Sequence, residues 1–394
     1  MTKIEIPYGK QFINRQDIKE VVRALKGKFI TTGDYVDKFE TAIKKKFGSK
    51  FAVTCSSATA GLHLAYMAID VKKDDVILMP AINFISSFRL AKLMKAKIYL
   101  VDVDSNTGQM TYDTILECVR KNKLKKVKAI VSMYLGGYVE NNLDFYKLKR
   151  KLNCYLIEDA CHAIGSKYKY LNKFYEVGSC KHSDLCVFSF HPVKTITTGE
   201  GGVVLTNNKK FAEKLKIFRS HGIKRKKNYW SYDIKNLGFN YRLSDINCAL
   251  GLSQLKKIDN FFKKRKNIFE YYQKKLQIYK EYVFLPKVKN SKNLYHLFLF
   301  GLNFKKIKND KSSFITYLNK KKIFPQFHYI PIFKFSFYKG DNQRDFSGSN
   351  QYFNNFLSLP VYYEFKQKHQ EYVINCIIEY LKKNIKRPRI NISF

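Results

Sequence analysis

Between residues 50 and 206, short apolar runs alternate with stretches whose apolar positions recur every three or four residues. The runs are Phe51–Thr54, Val76–Met79, Ile98–Val103, Ala129–Tyr134, Tyr155–Ile157, Leu185–Phe188 and Gly202–Thr206. Most are rich in Val, Ile, Leu or Phe and stay apolar along their length instead of alternating. A strand of that kind has both faces covered. The pattern therefore predicts an α/β fold with a mostly parallel, seven-stranded sheet and helices on each side. In such sheets ligands gather at the carboxyl ends of strands, which directs attention to Ser56, Asp159 and Ser189.

From Ser244 onward, Ile246, Leu250, Leu255, Ile258 and Phe262 follow approximately helical spacing and predict one long helix. It reads as the connector to a smaller α+β domain that mixes apolar runs such as Leu297–Leu302 with helices such as Tyr372–Leu381. The expected organisation is a large domain over 1–255 and a small one over 256–394.

Charge complicates the picture. Lys and Arg number 73 against 32 acidic residues, a formal net charge of +41, with a pI near 9.8. Such an excess suits a polyanionic partner. It equally suits an AT-rich coding composition, since Lys, Asn, Ile, Phe and Tyr are abundant together. The lysines are spread along the whole chain, and clusters such as Lys44–Lys46 and Lys224–Lys227 read as solvated faces. No helix-turn-helix, zinc or RNA-binding signature supports a nucleic-acid binder. The eight cysteines form no C-x-x-C pair and have no metal-ligand spacing with histidine. There is no apolar signal core, and no run approaches the ~18 apolar residues of a membrane span. A reduced, cytoplasmic protein without a metal is expected.

Three clusters carry candidate chemistry. Cys55-Ser56-Ser57-Ala58-Thr59-Ala60-Gly61 joins a strand to a helix. Small hydroxyl residues there leave backbone N–H groups free for a phosphate, or simply cap the helix. Ile157-Glu158-Asp159-Ala160-Cys161-His162-Ala163 puts an acidic pair at a strand's carboxyl end. Such a pair can bind a metal or hold a cationic ring nitrogen, or it is an ordinary acidic helix start. Phe188-Ser189-Phe190-His191-Pro192-Val193-Lys194, followed by Thr195-Ile196-Thr197-Thr198-Gly199-Glu200-Gly201-Gly202, sets a lysine just past a strand, five residues after a serine. A Schiff-base lysine needs such a fixed backbone, with a phosphate ligand nearby.

In this order and spacing, the clusters resemble the DegT/DnrJ/EryC1/StrS sugar aminotransferases, which are fold-type-I enzymes dependent on pyridoxal 5'-phosphate. Gly27–Gly33, Gly238–Asp245, His328-Tyr329-Ile330-Pro331 and Leu357-Ser358-Leu359-Pro360 extend the resemblance over nearly the whole chain. It implies that Lys194 carries the cofactor and that Asp159 pairs with its ring nitrogen. It also implies that Thr59, Ala60 and Ser189 bind its phosphate, and that Phe84 stacks on its ring. Asn240 would reach the phosphate from the other subunit of a homodimer with shared active sites. His162 stands where many members carry glutamine; it could bond the ring hydroxyl, with its protonation state open.

Relatives that deoxygenate their sugar have histidine in place of the lysine, so Lys194 implies transamination. The subgroup resemblance is to the pseudaminic acid pathway. It implies UDP-2-acetamido-2,6-dideoxy-β-L-arabino-hex-4-ulose as acceptor, L-glutamate as donor and UDP-4-amino-4,6-dideoxy-N-acetyl-β-L-altrosamine as product. Related enzymes act on UDP-4-keto-6-deoxy-GlcNAc, GDP-4-keto-6-deoxymannose or a UDP-4-keto-pentose. Lys224 and Arg225 are candidates for the nucleotide pyrophosphate, and His328 for the substrate. A regulatory protein on a retired aminotransferase scaffold stays open, because fold does not fix function.

Overall fold

The computed structural model describes residues 5–226, 228, 230–287, 291–338 and 345–385. Seven strands form the central sheet: β1 (Phe51–Cys55), β2 (Val76–Pro80), β3 (Lys97–Val101), β4 (Ala129–Met133), β5 (Tyr155–Asp159), β6 (Leu185–Ser189) and β7 (Gly202–Thr206). Their order is β1-β7-β6-β5-β4-β2-β3. β7 runs antiparallel to both neighbours, and every other pairing is parallel. All seven apolar runs are strands of this sheet, with ends shifted by at most two residues.

The unbroken apolar character has the expected cause. Successive side chains point to opposite faces, and both faces are covered. Val53, Met79, Val131, Val187 and Val204 pack toward the helix α1 (Ala58–Ala68) through Leu62 and Ala65. Ala52, Leu78, Ile130, Cys186 and Val203 pack toward helix Asp34–Phe47 through Phe39, Ile43 and Phe47.

Asp245 is fully buried, and its carboxylate accepts from the Gly33 and Tyr35 amides, both at 2.8 Å. This clamps the Gly27–Gly33 motif to the Gly238–Asp245 motif. The long helix expected from Ser244 is in fact two: α2 (Asp245–Leu255), capped by the Ser244 hydroxyl, and α3 (Ile258–Leu276). The break falls where Lys257 turns inward to meet Asp17 Oδ2 at 2.5 Å and Asn14 Oδ1 at 3.2 Å. A continuous helix would carry that ammonium off its buried carboxylate.

A second core gathers the C-terminal elements around Phe298, Phe300, Phe314, Leu357, Ile374 and Ile377. Strand Phe298–Leu302 and helix Gln367–Asn384 contain the runs anticipated there. Ile6–Pro7 pairs in parallel with Ile323–Phe324, so the start of the chain joins this second unit. Periodicity had not indicated the hairpin Lys167–Tyr170 with Lys173–Glu176, nor the pairing of Ile223–Arg225 with Tyr232–Ile234. Both are short and polar. Among the described residues no helix is long and apolar enough to cross a membrane, and no cluster of His, Cys, Asp or Glu could hold a metal ion.

Candidate active site

Sheet register brings the three clusters to one edge. Gly202, the first residue of β7, lies opposite Cys55 at the end of β1 and Ser189 at the end of β6. Asp159 ends β5 one strand further over. A Cβ on Gly202 would sit 2.6 Å from the Ser57 carbonyl carbon and 2.7 Å from the Ala58 nitrogen. Only glycine lets α1 begin so close to the sheet.

Ser57 caps α1, its hydroxyl accepting from Ala60 N at 3.1 Å. The ordinary capping role is therefore real, and it occupies the Ala60 amide. The Ala58 and Thr59 amides precede the first intrahelical bond, and Thr59 is exposed. Ser189 is buried at the strand end, its hydroxyl accepting from His191 N at 3.4 Å. Phe84 is 52% exposed although Met79 to Asn83 are buried, so one ring stands out into the cleft.

The acidic pair divides by strand alternation. Glu158 turns into the core, where its carboxylate accepts from Tyr134 Oη and Asn142 Nδ2, both at 2.8 Å. Asp159 faces the site and accepts from Cys161 N at 3.3 Å. Burial raises the Asp159 carboxyl above its usual range; the Cys161 bonds and the Lys194 ammonium act against that. Burial conversely lowers the Lys194 amine, opposed by Cys161 and Asp159. Lysine and carboxylate thus share a poorly solvated pocket, close enough for each to shift the other.

His162 is buried with its ring 4.5 Å from His296, 5.7 Å from His328 and 6.0 Å from Tyr329, centroid to centroid. Burial first, then the Lys194 charge and the two other imidazoles, push it well below the ordinary histidine value. His328 is also buried, with Nδ1 2.8 Å from Ser358 Oγ, and burial takes it down to about 3. That contact joins the two late motifs.

Asn240 is exposed on the segment whose next residue, Tyr241, accepts from Ser56 N at 2.8 Å. Among the described residues, no hydrogen bond ties the Asn240 side chain to its own cleft. Lys224 and Arg225 are exposed on the short hairpin; Lys227, of the same basic loop, lies outside the described residues.

Several site groups escaped the sequence reading. Tyr329 Oη is 3.0 Å from His162 Nε2. His296 is buried beside it, with Nδ1 unpartnered among the described residues. Arg265 is 3% exposed and donates to the His296 and Val361 carbonyls at 3.1 Å each. Lys10, Gln11 and Phe12 line a narrow gap beside Lys194. The place of Tyr329 inside the His328-Tyr329-Ile330-Pro331 motif was the one available signal.

The family model of the DegT/DnrJ/EryC1/StrS aminotransferases matches residues 11–378. The UDP-4-amino-4,6-dideoxy-N-acetyl-β-L-altrosamine transaminase of Campylobacter jejuni (serotype O:23/36, strain 81-176) is 37% identical over 385 residues, covering 96% of this chain and 98% of the relative. GDP-perosamine synthase of Escherichia coli O157:H7 is 31% identical over 300 residues, 74% of this chain and 76% of that one. Among solved structures, Helicobacter pylori PseC, an aminotransferase of pseudaminic acid biosynthesis, superposes with a TM-score of 0.88 at 28% identity. That superposition covers 96% of this chain and all of the other. With its sheet order, its lysine–carboxylate pair and a match spanning both units, this chain belongs to the DegT/DnrJ/EryC1/StrS aminotransferase family.

Proposed function

We propose that this protein transfers an amino group from L-glutamate to the 4-keto carbon of a nucleotide-linked 6-deoxy sugar, with pyridoxal 5'-phosphate as cofactor. The observation that carries the reading is Lys194 facing buried Asp159 at the carboxyl edge of the sheet, in one pocket that disfavours both charges. The residues fit the cofactor. Asp159 is a buried carboxylate lacking a full counter-charge, which a protonated ring nitrogen would supply. The first turn of α1, Ser189 and the Gly202 approach form a cradle for a phosphate. Phe84 offers a free aromatic face.

When bound, the cofactor supplies an electron sink for charge developing at carbon. The protein does the rest. Asp159 Oδ would hold the ring nitrogen's proton in place. Lys194 Nζ, kept nearer neutrality by burial, would take the proton from the donor's α-carbon and return it two bonds away, on the far side of the transferred nitrogen. On the acceptor half of the cycle it runs the same transfer in reverse.

The sugar is assigned from the relatives' names. The C. jejuni similarity over nearly the full chain favours UDP-2-acetamido-2,6-dideoxy-β-L-arabino-hex-4-ulose, giving the UDP-4-amino altrosamine product. A GDP-linked keto sugar is the second reading, favoured by the likeness to GDP-perosamine synthase. Phe29, Ile30, Trp230, Leu237 and Phe239 are large apolar side chains left exposed around the Asn240 segment. A second copy covering them would bring Asn240 toward its partner's phosphate cradle, making a homodimer with shared sites. Eight unpaired cysteines suit a reducing cytoplasm.

Incubation with L-glutamate and, in turn, the two epimeric UDP-4-keto sugars and GDP-4-keto-6-deoxymannose tests the substrate reading. NMR of the product should show amination of the β-L-arabino epimer. Preference for the GDP sugar would select the second reading, and no amination of any would reject both.

A further inference from the structure

We propose that Tyr329 is the hydrogen-bond donor to the cofactor's ring oxygen, and that His162 is a positioning residue acting through it. The inference rests on the cofactor reading above. Its starting point is a bond of unambiguous direction. The Gly136 amide lies 3.3 Å from His162 Nδ1, and an amide can only donate, so Nδ1 is a bare acceptor. The imidazole is buried, and Lys194, His296 and His328 all face it, which keeps it neutral. A neutral ring with a lone pair at Nδ1 carries its proton on Nε2. Nε2 lies 3.0 Å from Tyr329 Oη, so the histidine donates and the tyrosine oxygen accepts.

The hydrogen of Tyr329 must then point elsewhere. Among the described residues its hydroxyl has no other hydrogen-bond partner. Burial, with Asp159, Cys161, Tyr8 and Tyr352 around it, holds the phenol well above its usual value, so it stays a donor. Its ring lies 5.8 Å from Phe84, on the cleft side. In pyridoxal phosphate the ring oxygen neighbours the carbon that a lysine takes and sits away from the phosphate arm. With the phosphate at α1, the ring nitrogen at Asp159 and the reacting carbon at Lys194, that oxygen would face the wall made by His162 and Tyr329.

The backbone is built around this pair. Gly137 has φ +91°, and a Cβ there would lie 2.6 Å from the His162 carbonyl oxygen. The glycine turn thus seats the histidine while Gly136 sets its tautomer.

Two measurements on the full-length protein test the relay. Nitrogen-15 NMR of the purified protein should show His162 as the neutral Nε2–H tautomer from pH 5.5 to 8; an Nδ1–H tautomer, or titration near pH 6.5, overturns it. In cofactor-loaded protein, the pH midpoint of the visible band should rise by about one unit in Tyr329→Phe, the worth of one lost hydrogen bond. His162→Ala should rise equally, and the double variant no further. His162→Gln should behave as wild type, because a carboxamide oxygen can accept from Gly136 while its NH2 donates to Tyr329. An unchanged midpoint in Tyr329→Phe, additive shifts, or a His162→Gln that matches His162→Ala would each overturn the relay while leaving the cofactor reading intact. A wild-type protein with no band would overturn both.

Discussion

Lys194 and Asp159 hold each other's charge in a pocket that solvates neither well, and each side chain has a separable consequence. Lys194→Ala should abolish both the visible absorbance of cofactor-loaded protein and turnover, because the amine proposed to hold the cofactor is gone. Asp159→Asn should keep the absorbance but lower turnover by at least roughly 100-fold, since a neutral amide no longer favours the protonated ring nitrogen. Absorbance spectra and steady-state rates separate the two. Both residues were legible in the sequence because their neighbours are informative: a strand, a serine five residues back, a glycine-rich return. Tyr329 and His296 were not. They lie far along the chain from His162: the His328–Pro331 motif marks Tyr329 without marking its partner, and His296 carries no local mark at all. Gly136-Gly137 reads as a turn, and its hold on His162 exists only in three dimensions.

At the scale of elements, all seven strands of the sheet were legible from their unbroken apolar runs, which double-sided burial demands. The helix beginning at Ser244 was legible at its start, where a serine caps it, and not at its break. That break depends on Lys257 reaching Asp17, a contact between residues 240 apart. The hairpin Ile223–Arg225 with Tyr232–Ile234 buries little, and no periodicity could announce it. It presents Lys224 and Arg225 outward, where a pyrophosphate could meet them. Neutralising both should raise KM for the sugar nucleotide by roughly 10-fold, the loss of about 1.4 kcal/mol, while the half-reaction with glutamate keeps its rate. Equal losses in both half-reactions would mean that the hairpin shapes the site and does not grip the nucleotide.

For the whole molecule, the buried histidines make stability depend on pH in a definite direction. His162, His296 and His328 all sit below the ordinary value of 6.5 because burial disfavours the cation. Their neutral state is favoured by folding, so their full contribution is present above pH 6.5. It is lost as pH falls below 6.5 toward the folded values, because the unfolded chain then binds protons that the folded one refuses. By pH 5 each costs at most about 2 kcal/mol. Denaturant midpoints should therefore drop between pH 7 and pH 5, and replacing His296 by Gln should shrink that drop. The net charge of +41 adds self-repulsion of the same sign, which 0.5 M salt should relieve while leaving the histidine part in place.

The pairing of Ile6 with Ile323 sets an order of events during synthesis. Residues 6 and 7 cannot find their strand partner until more than three hundred further residues have been made. Phe12, which walls Lys194 together with Lys10 and Gln11, is seated sooner, because its carbonyl accepts from Gln254 Nε2 at 2.9 Å. The sheet and its lysine can form earlier, since domains generally fold as units as they emerge. A nascent chain thus carries an open, unwalled lysine from the synthesis of Lys194 until at least Gln254 has followed. A chain released within that interval would keep its chemistry unguarded.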